Sequence, residues 1–572
     1  MTTYLNIGIS GLRAAQLGLL TTQHNIANAN TPGFSRQAVF QSTGFAVNSD
    51  EGALGQGVKI ETVKRNYSEF LTGQMNQSQS RLTELETQYA SLSQMDNLLA
   101  DQDAGLSPAL RDFFAAVQQV GSNPSLIPAR QSMVASAQTL ASRFQLLDGR
   151  FQSLGEQANG RISNAVAGIN ALTESIGQIN QNIVLAQSTY GQPANDLLDQ
   201  RDYLVNELNK LVGVSTSNNL DGTVNVFFGS GQQLVVGTQV TSLVAQEKSS
   251  DSTKMGVAIQ YRNGTVELAD NLLSGGELGA LMSFRNGTLE GARTALGEIA
   301  TAVAQALNDQ QALGMDLNGR VAGEVGFESQ LFIIPASSVP GFAARDIQVN
   351  PLVVEDPRLV AAASPVRTTQ ATTNTGTLKL TVAEVTTPFS TAAVSLSVNG
   401  AQQLTGFAGN WTATYASGAS ASGAGGGIPL NNGSGALREL TINGVRYTVT
   451  GVGNSGDTLG VERNTGGVQD GRNAVLMAGL QNQKTMYGGT ATFNSSYATI
   501  VADTGIVTRE TKIRLDAQSA LHDQIEGARD SLSGVNLDEE AANLLKFQQA
   551  YQASAKALQI GVDLFEQLLS IR

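Results

Sequence analysis

The chain has 572 residues, a formal net charge of −13 and no cysteine. Its length predicts three or four domains, and its acidic balance, without a basic run, argues against a nucleic-acid partner because binding to phosphates needs clustered Lys and Arg. The lack of cysteine excludes disulfides, thiol nucleophiles and thiolate metal sites.

No apolar run approaches the ~20 residues that span a bilayer. The first residues also carry no basic leader ahead of an apolar block, which is the pattern of a secretory signal peptide. We therefore expect neither membrane insertion nor a cleaved signal peptide.

The first predicted element is a long amino-terminal helix with a narrow apolar stripe. Its large apolar residues recur at intervals of seven, with one intermediate position filled. This heptad spacing predicts packing against another helix. The stripe consists of Leu5, Ile9, Leu12, Leu19 and Ile26.

A turn is predicted directly after this helix, at the sequence ANANTPGFSR over 27–36. Pro32 cannot continue a helix, and Gly33 supplies the backbone freedom that a tight turn uses. The helix should therefore end near Asn28.

Helical patterns fill most of the next 250 residues. A heptad pattern predicts a second long helix from Leu71 to Leu99, and Ser107, followed by proline, reads as the N-cap of a short one. A seam without polar breaks runs over 162–186, and a further helix is expected over 196–211. After a small β-hairpin unit, with a turn at Asn263-Gly264, helical pattern returns over 278–313.

A separate β domain is predicted over 335–480, where Gly, Ser, Thr and Ala are abundant. Its clearest hairpin is expected to turn at Asn443-Gly444, a favoured type I′ pair. The tract SGASASGAGGG over 417–427 reads as a flexible loop on composition. Trp411, the one tryptophan, is expected in the core of this domain.

The chain is expected to end in two helices, the first over 496–532. Asn536 is predicted to cap the second, with Glu539 placed for a capping box and the acidic first turn favouring the positive helix end. That last helix carries a second heptad stripe, which includes Leu537, Leu544, Tyr551, Leu558, Val562, Phe565 and Leu569.

No catalytic or metal-binding constellation emerges along the chain. The two histidines, His24 and His522, lie far apart in sequence and form no HxxxH or HExxH arrangement. Gly229-Ser230-Gly231 lies in a strand-rich stretch and not at the start of a helix, so it does not predict a phosphate loop. We expect no enzyme activity and no cofactor.

The chain resembles the flagellar axial proteins of the rod, hook and junction. Its turn carries a form of the ANxxTPGF signature of that family through Asn28, Thr31, Pro32, Gly33 and Phe34. The carboxyl-terminal segment over 533–556, and the interior segments NDLLDQRD over 195–202 and GGELGAL over 275–281, are similar to the junction proteins in particular.

The resemblance implies a structural protein that joins hook to filament, outside the cell, exported without a cleaved signal peptide. It implies as partners copies of the same chain in a ring, the hook protein, a second junction protein, and an export chaperone and cap. A hook or distal-rod protein remains an alternative. A secreted adhesin or enzyme, which would need a site in 335–480, is another.

The predicted fold class is α+β and multidomain, with helical termini packed together and an inserted all-β outer domain. Three parts are expected: 1–60 with 533–572 as the inner assembly domain, 61–334 with 481–532 as a helical domain, and 335–480. Spacing alone leaves open whether the two termini pair within one chain or across subunits. Because an isolated heptad stripe is marginally stable in water without a partner, we expect the ends of a monomer to be unstructured and to order on assembly.

Overall fold

The computed structural model describes residues 2–44, 47–49, 52–101, 105–336 and 338–570. The chain forms two compact units, one from Met1–Gln94, Leu154–Thr288 and Ile506–Arg572, the other from Met95–Ser153 and Leu289–Gly505. Among the described residues, no helix has the length and apolar character needed to cross a membrane. The three-part division made from the sequence stays a proposal.

Helices account for the larger share of the fold. In chain order they are α1 (Thr2–Ala27), α2 (Glu69–Leu99), α3 (Leu106–Ser122), α4 (Ile127–Tyr190), α5 (Asn195–Leu211), α6 (Gly276–Ser283), α7 (Glu290–Ala312), α8 (Ala343–Asp346), α9 (Pro351–Glu355), α10 (Arg472–Gly479), α11 (Phe493–Ser533) and α12 (Leu537–Ser570).

Among the described residues before 350, the strands form five small sheets, all antiparallel. They are β1 (Gln37–Thr43), β2 (Val47–Ser49), β3 (Gly52–Leu54), β4 (Val58–Arg65), β5 (Val214–Asn218), β6 (Val224–Phe228), β7 (Gln232–Val236), β8 (Gln239–Val240), β9 (Leu243–Glu247), β10 (Met255–Tyr261), β11 (Gly264–Glu267), β12 (Phe332–Ile333) and β13 (Gln348–Val349).

The core of the first unit lies where helices cover two of these sheets. The sheet β5-β6-β7-β8 and the sheet β9-β10-β11 share one apolar cluster with α4, α5 and α6. The α4 residues in this cluster include Ile162, Ile169 and Ile176, which are all fully buried. The predicted seam over 162–186 therefore packs onto sheets as well as onto a helix.

The second unit contains a β-sandwich between helical segments. Its sheets have the strand orders β14-β23-β16-β17-β20 and β15-β22-β21-β18-β19, and their inner faces share one apolar cluster, which includes Trp411 as predicted. Its strands are β14 (Val366–Gln370), β15 (Lys379–Val385), β16 (Val394–Val398), β17 (Gln403–Thr405), β18 (Asn410–Tyr415), β19 (Ser420–Ala424), β20 (Ile428–Pro429), β21 (Leu437–Ile442), β22 (Val445–Thr450) and β23 (Thr458–Arg463).

The hairpin at Asn443-Gly444 is confirmed. Ile442 pairs with Val445, and both turn residues have positive φ, 52° and 74°, as a type I′ turn requires. The hairpin near Asn263 differs by one position, because Tyr261 pairs with Gly264 and leaves Arg262 and Asn263 as the loop.

Four other predictions from the sequence are wrong. The small hairpin unit is in fact seven strands, β5 to β11. The tract over 417–427 is not a loop, because 420–424 pairs along β18 as strand β19. Gly105, and not Ser107, precedes α3 as its N-cap. The helix through 162–186 begins much earlier, at Ile127.

Candidate assembly surface

Helices α1 and α12 pack against each other as an antiparallel pair in the first unit. Small residues of α1 face α12: a Cβ built on Gly8 would lie 3.4 Å from Leu558, and one built on Gly18 would lie 2.5 Å from the ring of Phe547. Because glycine has no side chain, the two backbones approach closely here.

The contact positions on α1 follow a heptad of their own, which is offset from the predicted stripe. With steps of three and four, buried or half-buried small and polar residues form the inner face that we call the α1 seam. Its members are Gly8, Gly11, Ala15, Gly18, Thr22 and Asn25.

The predicted stripes lie beside this seam and are only partly covered. Ile9 keeps 40% of its surface exposed and Phe565 keeps 43%. The half-buried members are Leu5, Leu12, Leu19, Leu544 and Leu558; the exposed ones are Ile9, Ile26, Leu537, Tyr551, Val562 and Phe565. The side chain of Leu569 lies outside the described residues.

Further large apolar side chains are exposed on the same two helices. Leu20 on α1 is 56% exposed, and Leu564 on α12 is 52% exposed. Contiguous exposed apolar surface on a folded chain is typical of an interaction surface. The outer faces of α1 and α12 together therefore form the candidate assembly surface.

The turn after α1 is held by its own backbone and by α5. The N–H of Thr31 donates to the carbonyl of Asn28 at 2.9 Å, and the N–H of Phe34 donates to the carbonyl of Thr31 at 3.2 Å. Gly33 has φ of +79°, and a Cβ there would meet Tyr203 of α5 at 2.9 Å. Glycine is therefore required for its conformation and for the close contact.

A buried carboxylate, Glu540, joins the turn region to the start of α12. The Glu540 residue is 1% exposed, and its two oxygens accept from Asn25 Nδ2 at 3.0 Å and from Arg36 Nε at 2.7 Å. Asn25 also exchanges hydrogen bonds with the backbone of Gln37. Glu540 is therefore a structural clamp between α1, the turn and α12.

The expected cap of α12 is present in part. The side chain of Asn536 accepts from the N–H of Asp538 at 2.9 Å, as an N-cap residue does. The carboxylate of Glu539, which was predicted to close a capping box, instead pairs with Arg36 at 3.0 Å.

Acidic residues of α5 hold the other side of the turn. Asp196, Asp199 and Asp202 recur every three residues, which places them along one helix face. Asp199 accepts from the N–H of Ser35 at 2.9 Å and from Arg65 at 2.8 Å. The Arg65 guanidinium also contacts Asp202 at 2.8 Å.

Burial raises the pKa of Asp199, although its hydrogen bonds with Arg65 and Ser35 oppose this. Burial by itself would lower the pKa of Arg65, but the charges of Asp202 and Asp199 outweigh it and raise that pKa. Arg65 is therefore held as a buried cation between two carboxylates, and the turn is built on a fixed polar network.

Sequence reasoning missed the residues that carry out this pairing. The glycines of the α1 seam have heptad spacing, but a search for large apolar residues passes over them. The three-residue spacing of the α5 acids was a usable signal, since it lies within the segment over 195–202 already matched to the junction proteins.

A polar cavity of about 420 Å³ opens beside the turn, lined in part by Pro32, Tyr67 and Arg529.

Paired terminal helices that keep large apolar side chains exposed are typical of structural proteins that associate through helices. The comparisons with known proteins agree. Residues 92–327 match the family model of the flagellar hook-associated protein FlgK helical domain. Residues 529–571 match the model of the flagellar basal body rod FlgEFG protein C-terminal region.

Relatives match along the full length of the chain. Flagellar hook-associated protein 1 of Salmonella typhimurium is 32% identical, and that of Escherichia coli K12 is 31% identical, each over 100% of both chains. The solved structure of the flagellar hook junction protein FlgK from Burkholderia pseudomallei aligns with a TM-score of 0.73 and 27% identity, covering 81% of this chain and 100% of that one. The chain belongs to the family of flagellar hook-associated protein 1.

Proposed function

We propose that this chain is a structural subunit of the bacterial flagellum that assembles at the distal end of the hook and joins the hook to the filament. Family membership across the full length of the chain supports this role. The proposal gives the chain no reaction to catalyse.

The observation that carries the proposal is the exposed apolar surface of α1 and α12. The small residues of the α1 seam contact α12 within the same chain. The larger side chains of Ile9, Val562 and Phe565 therefore stay exposed. Such side chains are stabilised when another helix covers them, at roughly 25 cal/mol per Å² of buried apolar surface. Neighbouring copies in a ring would supply those helices.

The partners follow from this placement at the junction. We propose that copies of the chain contact one another, the hook protein on one side and a second junction protein on the other, with an export chaperone and a cap acting before and during assembly. Such a subunit works outside the cell, exported without a cleaved signal peptide.

The test is a deletion of the gene in the source bacterium. We expect hooks of normal form, no attached filaments, and filament protein in the medium. Complementation with the full chain should restore filaments, and complementation with a chain lacking 536–572 should not, because the truncation removes α12 and Glu540.

Three outcomes would contradict the proposal. Loss of the hook itself would favour a hook or distal-rod protein, since those lie below the junction. Normal attached filaments in the deletion strain, or normal filaments with the truncated chain, would exclude a junction role that depends on α12.

A further inference from the structure

A groove of about 740 Å³ lies between α1, strand β4 and the start of α5, all in the first unit. Apolar side chains form one part of its wall. Leu20 is one of them, and its 56% exposure already places it on the candidate assembly surface, so the groove continues that surface toward the β1–β4 ribbon. The apolar lining residues include Leu17, Leu20, Ile60, Val63 and Leu197.

The mouth of this groove is acidic. Glu61 and Asp196 both line it and are exposed. Oδ1 of Asp196 lies 3.2 Å from Nε2 of His24 and accepts from Nε2 of Gln37 at 2.7 Å, while Oδ2 has no hydrogen-bond partner among the described residues. No Lys or Arg of the described chain lines the groove. A partner that carries a cation beside an apolar group is therefore favoured.

The outer face of the β1–β4 ribbon has the complementary character. Side chains alternate along a strand, and Gln37 lines the groove, so Ala38 and Phe40 face away from it. Lys64 pairs with Ala38 and shares that outer face. The Phe40 ring is 46% exposed, and Nζ of Lys64 lies 5.7 Å from its centroid. We call this aromatic ring with its cation the Phe40–Lys64 knob.

The knob and the groove together favour a second copy of this chain as the occupant. They lie on opposite faces of one ribbon, so a chain cannot insert its knob into its own groove. Copies in the same orientation can each give a knob to one neighbour and accept a knob from the other. This is a heterologous contact, from which rings are built without a two-fold axis between neighbours.

We propose that neighbouring copies of this chain join through this contact, with Phe40 of one copy packed against Leu20 in the groove of the next, and Lys64 paired with Glu61. The contact rests on the proposed ring of copies at the junction. Covering Phe40 and Leu20 removes exposed apolar surface from both copies. The ion pair fixes the register in which they meet.

Two introduced cysteines test the contact in assembled flagella, because the chain has no native cysteine. A chain with both Phe40→Cys and Leu20→Cys is expressed in the deletion strain, and the isolated hooks with their filaments are treated with a short bismaleimide. We expect a ladder of crosslinked multimers, since each copy offers a different cysteine to each neighbour. Either cysteine alone should give monomers, because equivalent residues of like-oriented neighbours are a subunit width apart.

Charge reversal in the otherwise native chain provides the second measurement, scored as the fraction of filaments that stay attached under shear. Lys64→Glu and Glu61→Lys should each lower this fraction at least about fivefold, because each opposes two like charges. The two changes together restore opposite charges and should recover attachment, which a misfolded chain would not do. Arg262→Glu is the matched control, at an exposed loop position of the same unit, and should have no effect.

The outcomes separate this contact from the junction function. Attached filaments without multimers from the two-cysteine chain would overturn the contact and leave the junction function standing. The contact would also be excluded by multimers from either cysteine alone, by crosslinks to another flagellar protein in place of multimers, or by a reversed pair that does not recover attachment. Absence of the native chain from isolated hooks would overturn both proposals.

Discussion

At the scale of single residues, the buried Glu540 has the greatest structural effect. Its carboxylate accepts hydrogen bonds from both Asn25 and Arg36, and the residue is only 1% exposed. The neighbouring carboxylate of Glu539 makes one contact, with Arg36, while 59% of that side chain stays exposed. Two adjacent acids of one helix turn therefore have different roles.

Glu540→Gln should lower the free energy of unfolding of the first unit by about 2–3 kcal/mol, because it leaves Arg36 without its buried partner. Glu539→Gln should cost less than about 1 kcal/mol, as expected of an exposed ion pair. Chemical denaturation of both variants measures the difference, and equal costs would contradict the clamp.

A second residue-scale prediction concerns acid stability of the second unit. Hydrogen bonds from Arg463, and one from the N–H of Val321, lower the pKa of Glu324 from its usual 4.5 to about 2. A carboxylate with a lowered pKa stabilises the fold above its unfolded pKa, and this contribution is lost as pH falls toward the folded value.

Between pH ~5 and ~2 the wild type should therefore lose more stability than Glu324→Gln, whose amide does not titrate. The effect should be modest because the Glu324 side chain is 38% exposed. Denaturation at stepped pH measures it, with Glu355→Gln, at an exposed position, as the control. Parallel pH curves for wild type and Glu324→Gln would refute the prediction.

At the scale of elements, the pairing of α1 with α12 depends on small residues. Heptad spacing correctly predicted that both helices pack, but the large apolar stripe and the α1 seam have the same period. Periodicity cannot decide which stripe faces inward, because that depends on how closely the partner backbone approaches. The structure puts the glycines inside and leaves the larger side chains for other contacts.

Gly18→Ala should destabilise the helix pair by about 1–3 kcal/mol, because the new methyl group would overlap the Phe547 ring. Gly73→Ala on α2 meets nothing within 4 Å and should stabilise by roughly 0.5–1 kcal/mol through helix propensity. Thermal unfolding should thus show changes of opposite sign. A neutral or stabilising Gly18→Ala would exclude close packing at that position.

Two further elements show where composition misleads. The Ser, Ala and Gly tract around β19 has the composition of a flexible linker, yet hydrogen bonds to β18 order it as a strand. Helix α4 extends far ahead of its predicted seam, although Asp148 and Gly149 interrupt the apolar pattern there. Arg293 pairs with the fully buried Asp148 at 2.6 Å, so the acid is compatible with a packed helix.

At the scale of the whole molecule, the two chain ends meet within one chain. Because α1 and α12 form and pair within one chain, we no longer expect the ends of a monomer to be unstructured. We expect instead that this helix pair is less stable than the rest of the first unit. Their seam uses glycine and small residues, which bury little apolar area, so the pair should open more readily than the apolar core around α4.

Hydrogen exchange on a verified monomer should show faster exchange over 5–26 and 545–567 than over 162–183 of α4. Protection of the ends should rise when the chain is assembled, because neighbouring helices would then cover their outer faces. Equal protection of all three segments in the monomer would show that the internal pairing alone holds the ends.

The sequence by itself determined the helical termini, the turn at Pro32-Gly33 and the hairpin at Asn443-Gly444, because local spacing and turn chemistry decide these features. The class of protein followed from the resemblance of its segments to the flagellar axial proteins. Tertiary structure decided which face of α1 is covered, the role of Glu540, and the order of the strand at Ser420–Ala424. These depend on partners hundreds of residues away, or on hydrogen bonds that a neighbouring strand supplies. The spacing of residues along the chain does not by itself identify such contacts.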